Sequence, residues 1–142
     1  MCMKKRRRDG IFARFFREVW FNIKSFFQKI FRGYSNDELW NLDNTIAKWI
    51  LPRLKAFKKD SIAFPADLDS PDEWDEILDK MIWSFDYITN QDEYEDEIIE
   101  KYKDNEFDED GHYRWIKDAK ELSEKCQEGL DLFAKYFRSL WW

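Results

Sequence analysis

Ser70-Pro71-Asp72-Glu73-Trp74-Asp75-Glu76-Ile77-Leu78-Asp79-Lys80-Met81-Ile82-Trp83-Ser84-Phe85-Asp86-Tyr87-Ile88 is the stretch that decides the fold class. Ser70 is a capping residue, and Pro71 takes the first helical position, where a missing N–H costs nothing. Asp72 and Glu73 place negative charge at the positive end of the helix dipole, and Glu73 also stands at the capping-box spacing. Trp74, Ile77, Leu78, Met81, Ile82, Phe85 and Ile88 then follow at steps of three and one, the period of a helix with one buried face. At about 1.5 to 3 kcal/mol per buried large side chain, that stripe offers of the order of 10 kcal/mol before conformational entropy is charged against it, so it reads as core.

The same period recurs on both sides. Before it, Phe12, Phe15, Phe16, Val19, Trp20, Ile23, Phe26, Phe27, Ile30 and Phe31 mark a helix over residues 10–32, closed by Gly33. Ser35-Asn36-Asp37-Glu38 opens a second helix over 36–57 with Leu39, Leu42, Ile46, Trp49, Ile50, Leu54 and Phe57 as its stripe. Pro52 predicts a kink or restart near Ile50. Residues 58–70 have no period and contain Phe64-Pro65-Ala66-Asp67, a loop. After the central helix, 71–89, residues 91–111 hold eleven acids against Lys101 and Lys103, with a short, weakly held helix expected over 94–102. The last helix, 112–140, carries Trp115, Ile116, Ala119, Leu122, Cys126, Leu130, Phe133, Phe137 and Leu140, interrupted by Gly129. Trp141 and Trp142 follow, either as an exposed contact handle or, the favoured use, as a plug for the bundle end. No strand alternation competes. The expected fold is all-α: a basic tail over 1–9 and one helical domain over 10–142, a bundle of three body helices plus an N-terminal amphipathic, basic, Phe-rich helix.

Four Gly and three Pro in 142 residues leave too few turns for a β-sandwich or barrel, and 19% aromatic residues exclude general disorder. The net charge of −6 conceals a division. Residues 1–32 hold ten Lys or Arg against Asp9 and Glu18, a balance of +8, so the rest of the chain stands at −14. A basic arm on an acidic body is the signature of contact with something anionic, whether lipid, nucleic acid or an acidic protein surface. No stretch is apolar enough for a membrane span or a signal-peptide core, and two distant cysteines, Cys2 and Cys126, fit a reducing cytosol.

A resemblance accompanies these readings. Phe31-Arg32-Gly33-Tyr34-Ser35-Asn36-Asp37-Glu38-Leu39-Trp40-Asn41-Leu42-Asp43, Ile46-Ala47, Leu54, Glu73-Trp74-Asp75-Glu76-Ile77-Leu78-Asp79-Lys80-Met81, Phe85 and Phe133-Ala134-Lys135-Tyr136-Phe137 resemble a family of small uncharacterised proteins of tailed bacteriophages and prophages. The resemblance covers residues 31–90 and the last ten. It implies a phage gene acting in the host bacterial cytoplasm, and carries no catalytic residues with it.

No motif supports catalysis. His112 is the single histidine, the glycines are isolated, and neither a nucleophile–base pair nor a phosphate loop can be assembled. Glu106, Asp108, Asp110 and Gly111 fall at the first, third, fifth and sixth places of a calcium loop, but Lys117 stands where the bidentate Glu belongs. Glu109 and His112 have the spacing of one half of a di-iron site whose other half is absent. No metal and no cofactor are therefore expected, and the protein reads as a non-enzyme. Asp43 reads as a partly buried helix-packing hydrogen-bonder in preference to a ligand contact.

Binding readings remain. On the basic arm the candidates are Lys4, Lys5, Arg6, Arg7, Arg8, Arg14, Arg17 and Lys24; on the acidic segment they are Glu95, Asp96, Glu97, Asp108, Glu109 and Asp110. The expected function is a non-catalytic phage accessory protein that binds a host or anti-phage defence component. Alternatives are a peripheral protein anchored to an anionic membrane by the first helix, an acidic DNA mimic using residues 92–110 and the central helix, and a sponge for a nucleotide signal. Direct binding to nucleic acid is disfavoured, because Phe at core period suits burial better than a stacking row; self-association stays open. The first helix itself admits two readings, an interfacial anchor or a fourth core member, and burial has the merit of hiding seven Phe from water.

Overall fold

A computed structural model describes residues 11–104, 107 and 112–141. Among these the chain is all-helical: α1 (Ile11–Arg32), α2 (Asn36–Trp40), α3 (Leu42–Asp60), α4 (Pro71–Thr89), α5 (Gln91–Lys101) and α6 (Trp115–Tyr136), followed by a single 3₁₀ turn, Phe137–Ser139. The only extended pairing among the described residues is one bridge between Phe107 and Tyr113. The chain packs as two compact units, Met1–Leu42 and Asp43–Trp142.

In the first unit α1 ends where the sequence places its stop. Gly33 has φ of 80° and donates its N–H to the Lys29 carbonyl at 3.0 Å, a left-handed close that a Cβ would strain. The reversal brings α2 back along α1. Glu38 accepts the Ser35 N–H at 3.0 Å, one arm of the capping box expected there.

In the second unit α4 is the hub. Ser70 Oγ accepts the Glu73 N–H at 3.2 Å, and Glu73 reaches back to accept the Asp69 N–H at 3.0 Å. Trp74, Leu78, Met81 and Phe85 are buried, with Leu78 and Met81 wholly out of water. They meet Ala47, Leu51 and Leu54 of α3, Leu68 of the connecting loop and Tyr136 of α6 in one cluster. Aromatic pairs bind the layers: Trp74 packs edge-on against Tyr136 at 5.4 Å between ring centres, and Phe85 against Phe133 at 4.9 Å. Helices α4 and α6 approach closely at Gly129, where an added Cβ would overlap Ser84 Oγ and the Lys80 carbonyl. The glycine that interrupts the stripe of the last helix thus lets α6 lie directly against α4. Cys126, one turn earlier, is buried beside the Ser84 carbonyl.

Several expectations need correction. The second predicted helix is two: the chain breaks at Asn41, whose φ of −124° and ψ of 68° leave the helical region, and α3 then runs through Pro52 without restarting near Ile50. The buried face of α3 is Ala47, Leu51 and Leu54 with Ile50 and Phe57 half-buried, so the expected Leu42, Ile46 and Trp49 are exposed. Asp43 is exposed, and the polar helix-to-helix contact comes from its neighbour: Asn44 Nδ2 donates to the Ile88 carbonyl at 3.2 Å. The weak acidic helix is longer than expected at its start, Gln91–Lys101, while the last helix starts at Trp115 rather than His112. Trp141 is 69% exposed and plugs nothing; the adjacent Leu140 packs on the core instead.

A candidate interfacial helix and an acidic aromatic hollow

Helix α1 advances about 100° per residue. On that wheel Phe15, Phe26, Val19, Ile30, Ile23, Phe16, Phe27, Trp20 and Phe31 fill one continuous arc of about 160° with no charged residue in it. The complementary arc holds Arg14, Arg17, Lys24, Lys29 and Arg32 against the single acid Glu18, with Ile11 and Phe21 as apolar intruders. Every one of the apolar side chains filling the charge-free arc is exposed, Phe16 at 69%, Trp20 at 71% and Phe31 at 80%.

The polar arc is where α2 attaches. Ser25 Oγ donates to Asp37 at 2.8 Å, Gln28 accepts the Asn36 N–H at 3.0 Å, and Lys29 pairs with Glu38 at 2.7 Å. Arg32 donates to Asn36 at 3.1 Å and to the Tyr34 hydroxyl at 3.0 Å. The Ser25 hydroxyl holds the Asp37 carboxyl below its ordinary range, and the Lys29 ammonium does the same for Glu38. The first unit therefore attaches α2 along the charged side of α1, while on the aromatic side rings meet only within α1 itself, Phe15 with Phe16, Phe26 with Phe27 and Phe27 with Phe31. Arg14 and Arg17 lie in the N-terminal half of the same polar arc, and Lys24 lies just past its middle. Lys4, Lys5, Arg6, Arg7 and Arg8 lie outside the described residues.

The acidic candidates divide. Asp108, Glu109 and Asp110, with Glu106 of the calcium reading, lie outside the described residues; so does Trp142. Glu95 accepts a hydrogen bond from Gln91 at 2.6 Å on the exposed side of α5, and Asp96 is also exposed. Glu97 alone is brought to a concave feature, a hollow of about 340 Å³ between α4, α5 and α6, lined by Trp83, Tyr94, Glu97, Ile98, Asp118, Glu121, Leu122 and Lys125. Asp118 pairs with Lys101 at 2.6 Å and accepts from the Tyr102 hydroxyl at 3.1 Å, and these contacts hold its carboxyl below the usual range. Trp83 and Lys125 were not singled out by the sequence: a Trp on a core helix reads as packing, and only the fold shows that its face is not consumed by the core.

A second concavity, about 430 Å³, is an apolar groove lined by Trp49, Ile50, Leu54, Phe57, Phe133, Phe137 and Leu140, with Arg53 and Asp60 among its walls. The Arg53 guanidinium lies over the Trp49 ring, 3.9 Å from its centre. Among the described residues no group of three or more His, Cys, Asp or Glu is placed to hold a metal ion. Burial pushes the Cys126 thiol up, away from the reactive thiolate. No helix among the described residues is long and apolar enough to cross a membrane. Compared with known proteins, the chain matches no family model, no curated protein and no solved structure.

Proposed function

We propose that this protein works without catalysis, as a peripheral protein whose α1 lies in the headgroup region of an anionic membrane and holds the helical unit of residues 43–142 at that surface. The observation that supports it is the exposed, charge-free aromatic arc of α1 flanked by Arg14, Arg17, Lys24, Lys29 and Arg32. A helix with a wide apolar face, aromatic side chains and a basic opposite face is soluble along one side and lipophilic along the other, which is the design of an interfacial helix. Each base near an anionic surface contributes about 1 kcal/mol, and each ring withdrawn from water adds about 1.5 to 3 kcal/mol. Charge draws the arm in, and apolar burial holds it. The phage resemblance would place such a surface at the inner face of the host's membrane.

The test is sedimentation of the full chain with vesicles. Binding to phosphatidylglycerol vesicles that falls steeply with salt, and weak binding to neutral phosphatidylcholine vesicles, is the expected result. Equal recovery with both lipids at every salt concentration would remove the electrostatic half of the reading, and no recovery with either would remove all of it.

A second reading, capture of a host or defence protein, is favoured by one observation, the apolar groove beside Trp49 and Phe137. Its volume suits a few anchoring side chains of a partner. Crosslinking in bacterial lysate that is lost on Phe137→Asp while vesicle binding persists would support it over the membrane reading.

A further inference from the structure

Trp83, Tyr87 and Tyr94 form a three-sided aromatic cluster. Trp83 and Tyr87, one turn apart on α4, stack with ring centres 5.5 Å apart and planes within 11°. Tyr94 of α5 stands edge-on to both, 5.9 Å from Trp83 and 5.4 Å from Tyr87. The cluster is fixed in place: Tyr94 donates its hydroxyl to Asp86 at 3.1 Å, and Tyr87 is buried. Trp83 is different, being only half-buried and turned to the hollow shared with Glu97, Asp118 and Glu121. Its face already holds a cation. The Lys125 ammonium of α6 lies 3.8 Å from the ring centre, well inside the range in which the ring quadrupole attracts positive charge.

We propose that this hollow is a binding site for a small organic ammonium ion, with Lys125 as the internal cation that the ligand displaces from Trp83. Three features converge on that class of ligand. The Trp83 face attracts a cation and also rewards methyl groups, so an alkylated ammonium suits it better than a strongly hydrated metal ion. Glu97, Asp118 and Glu121 supply carboxylates around the ring, Asp118 paired with Lys101 at 2.6 Å and Glu121 3.9 Å from Lys117, and Lys125 is the one base among the lining residues. Ile98 and Leu122 supply apolar walls for the carbon skeleton. Lys125 sits on the exposed side of α6 with a four-carbon tether, so it can swing into water when a ligand arrives. The site uses no residue of α1 and stands whatever α1 binds.

The probe is choline, with its neutral isostere 3,3-dimethylbutanol as control, titrated by NMR into the full chain and read at the Trp83 indole. Millimolar choline should shift that resonance, and the isostere should bind at least tenfold more weakly. Lys125→Ala should tighten choline binding several-fold, because the competing cation is gone. Trp83→Phe, which keeps an aromatic ring and the fold but has the weaker quadrupole, should weaken it several-fold. Glycerophosphocholine, whose phosphate would face the same carboxylates, should bind more weakly than choline; equal or tighter binding would assign the hollow to a lipid headgroup and overturn the assignment to a free cation. Absence of choline binding in Lys125→Ala, or equal binding of choline and its isostere, would overturn the proposal outright.

Discussion

Gly129 shows how much one missing side chain decides. In an exposed helix interior, Gly→Ala stabilises by about 1 kcal/mol, because the backbone of the unfolded chain loses freedom. At Gly129 the new methyl would occupy the space of Ser84 Oγ and of the Lys80 carbonyl, and the carbonyl belongs to helix backbone that cannot yield cheaply. Overpacking of this kind costs about 1 to 3 kcal/mol or more, so the net expectation for Gly129→Ala is a melting temperature lower by several degrees. Adding Ser84→Ala removes the nearest obstacle but not the carbonyl, and thermal melts of the two single variants and the double variant should show partial, non-additive rescue. Additive effects would mean that α4 and α6 can move apart freely at this point.

The Asp118–Lys101 pair makes a different residue-scale prediction. Hydrogen bonds from Lys101 and then Tyr102 lower the Asp118 pKa, so the stability this carboxylate contributes is fully present above the unfolded value of about 4. It is lost as pH falls through the lower folded value. The Lys101 pKa is raised by the same bond, and its share is lost only as pH rises beyond about 10.4. Urea melts should therefore separate wild type from Asp118→Asn by a constant gap between pH 5 and 9, closing below about pH 4. A gap that persists undiminished in strong acid would place the effect of Asp118 in packing rather than charge.

At the scale of elements, α1 is the one that could have been either core or interface. If its aromatic arc were core, Phe15→Ser, Phe16→Ser and Ile23→Ser together would remove about 2 to 5 kcal/mol each and unfold a domain of ordinary stability. These three side chains are 59%, 69% and 44% exposed, so the triple variant is expected to melt at nearly the wild-type temperature while losing recovery with anionic vesicles. Cooperative unfolding at much lower temperature would show that the arc is buried in solution. The sequence could not distinguish these outcomes, since a helix that packs on a core and one that packs on lipid carry the same period. Helix α4 was legible for the opposite reason: cap, Pro71, acids and stripe all specify one element and one face. Helix α3 was legible in existence but not in rotation. Ranking by hydrophobicity puts Trp49 and Ile46 inward, whereas the small Ala47 lets α3 approach the core and turns Leu51 and Leu54 onto it. The aromatic hollow was hidden because Trp83 and Lys125 lie 42 residues apart and meet only once α4 and α6 cross.

For the whole molecule, the division into two units separates charge as well: residues 1–42 stand at +6 and residues 43–142 at −12. Every member of the main core cluster, from Ala47 to Tyr136, belongs to residues 43–142, and so do the ion pairs Lys55–Asp86 and Lys80–Glu128 that tie its helices together. That unit should fold alone. A chain beginning at Asp43 is expected to keep its helical circular dichroism and to melt cooperatively within a few degrees of the full protein, because no core side chain is removed with the first 42 residues. It should also fail to sediment with phosphatidylglycerol vesicles, since its net charge is strongly negative and an anionic surface repels it. Retained binding would move the membrane contact from α1 to the acidic unit, and a broad, non-cooperative melt would mean that the core in residues 43–142 needs the first unit to complete it.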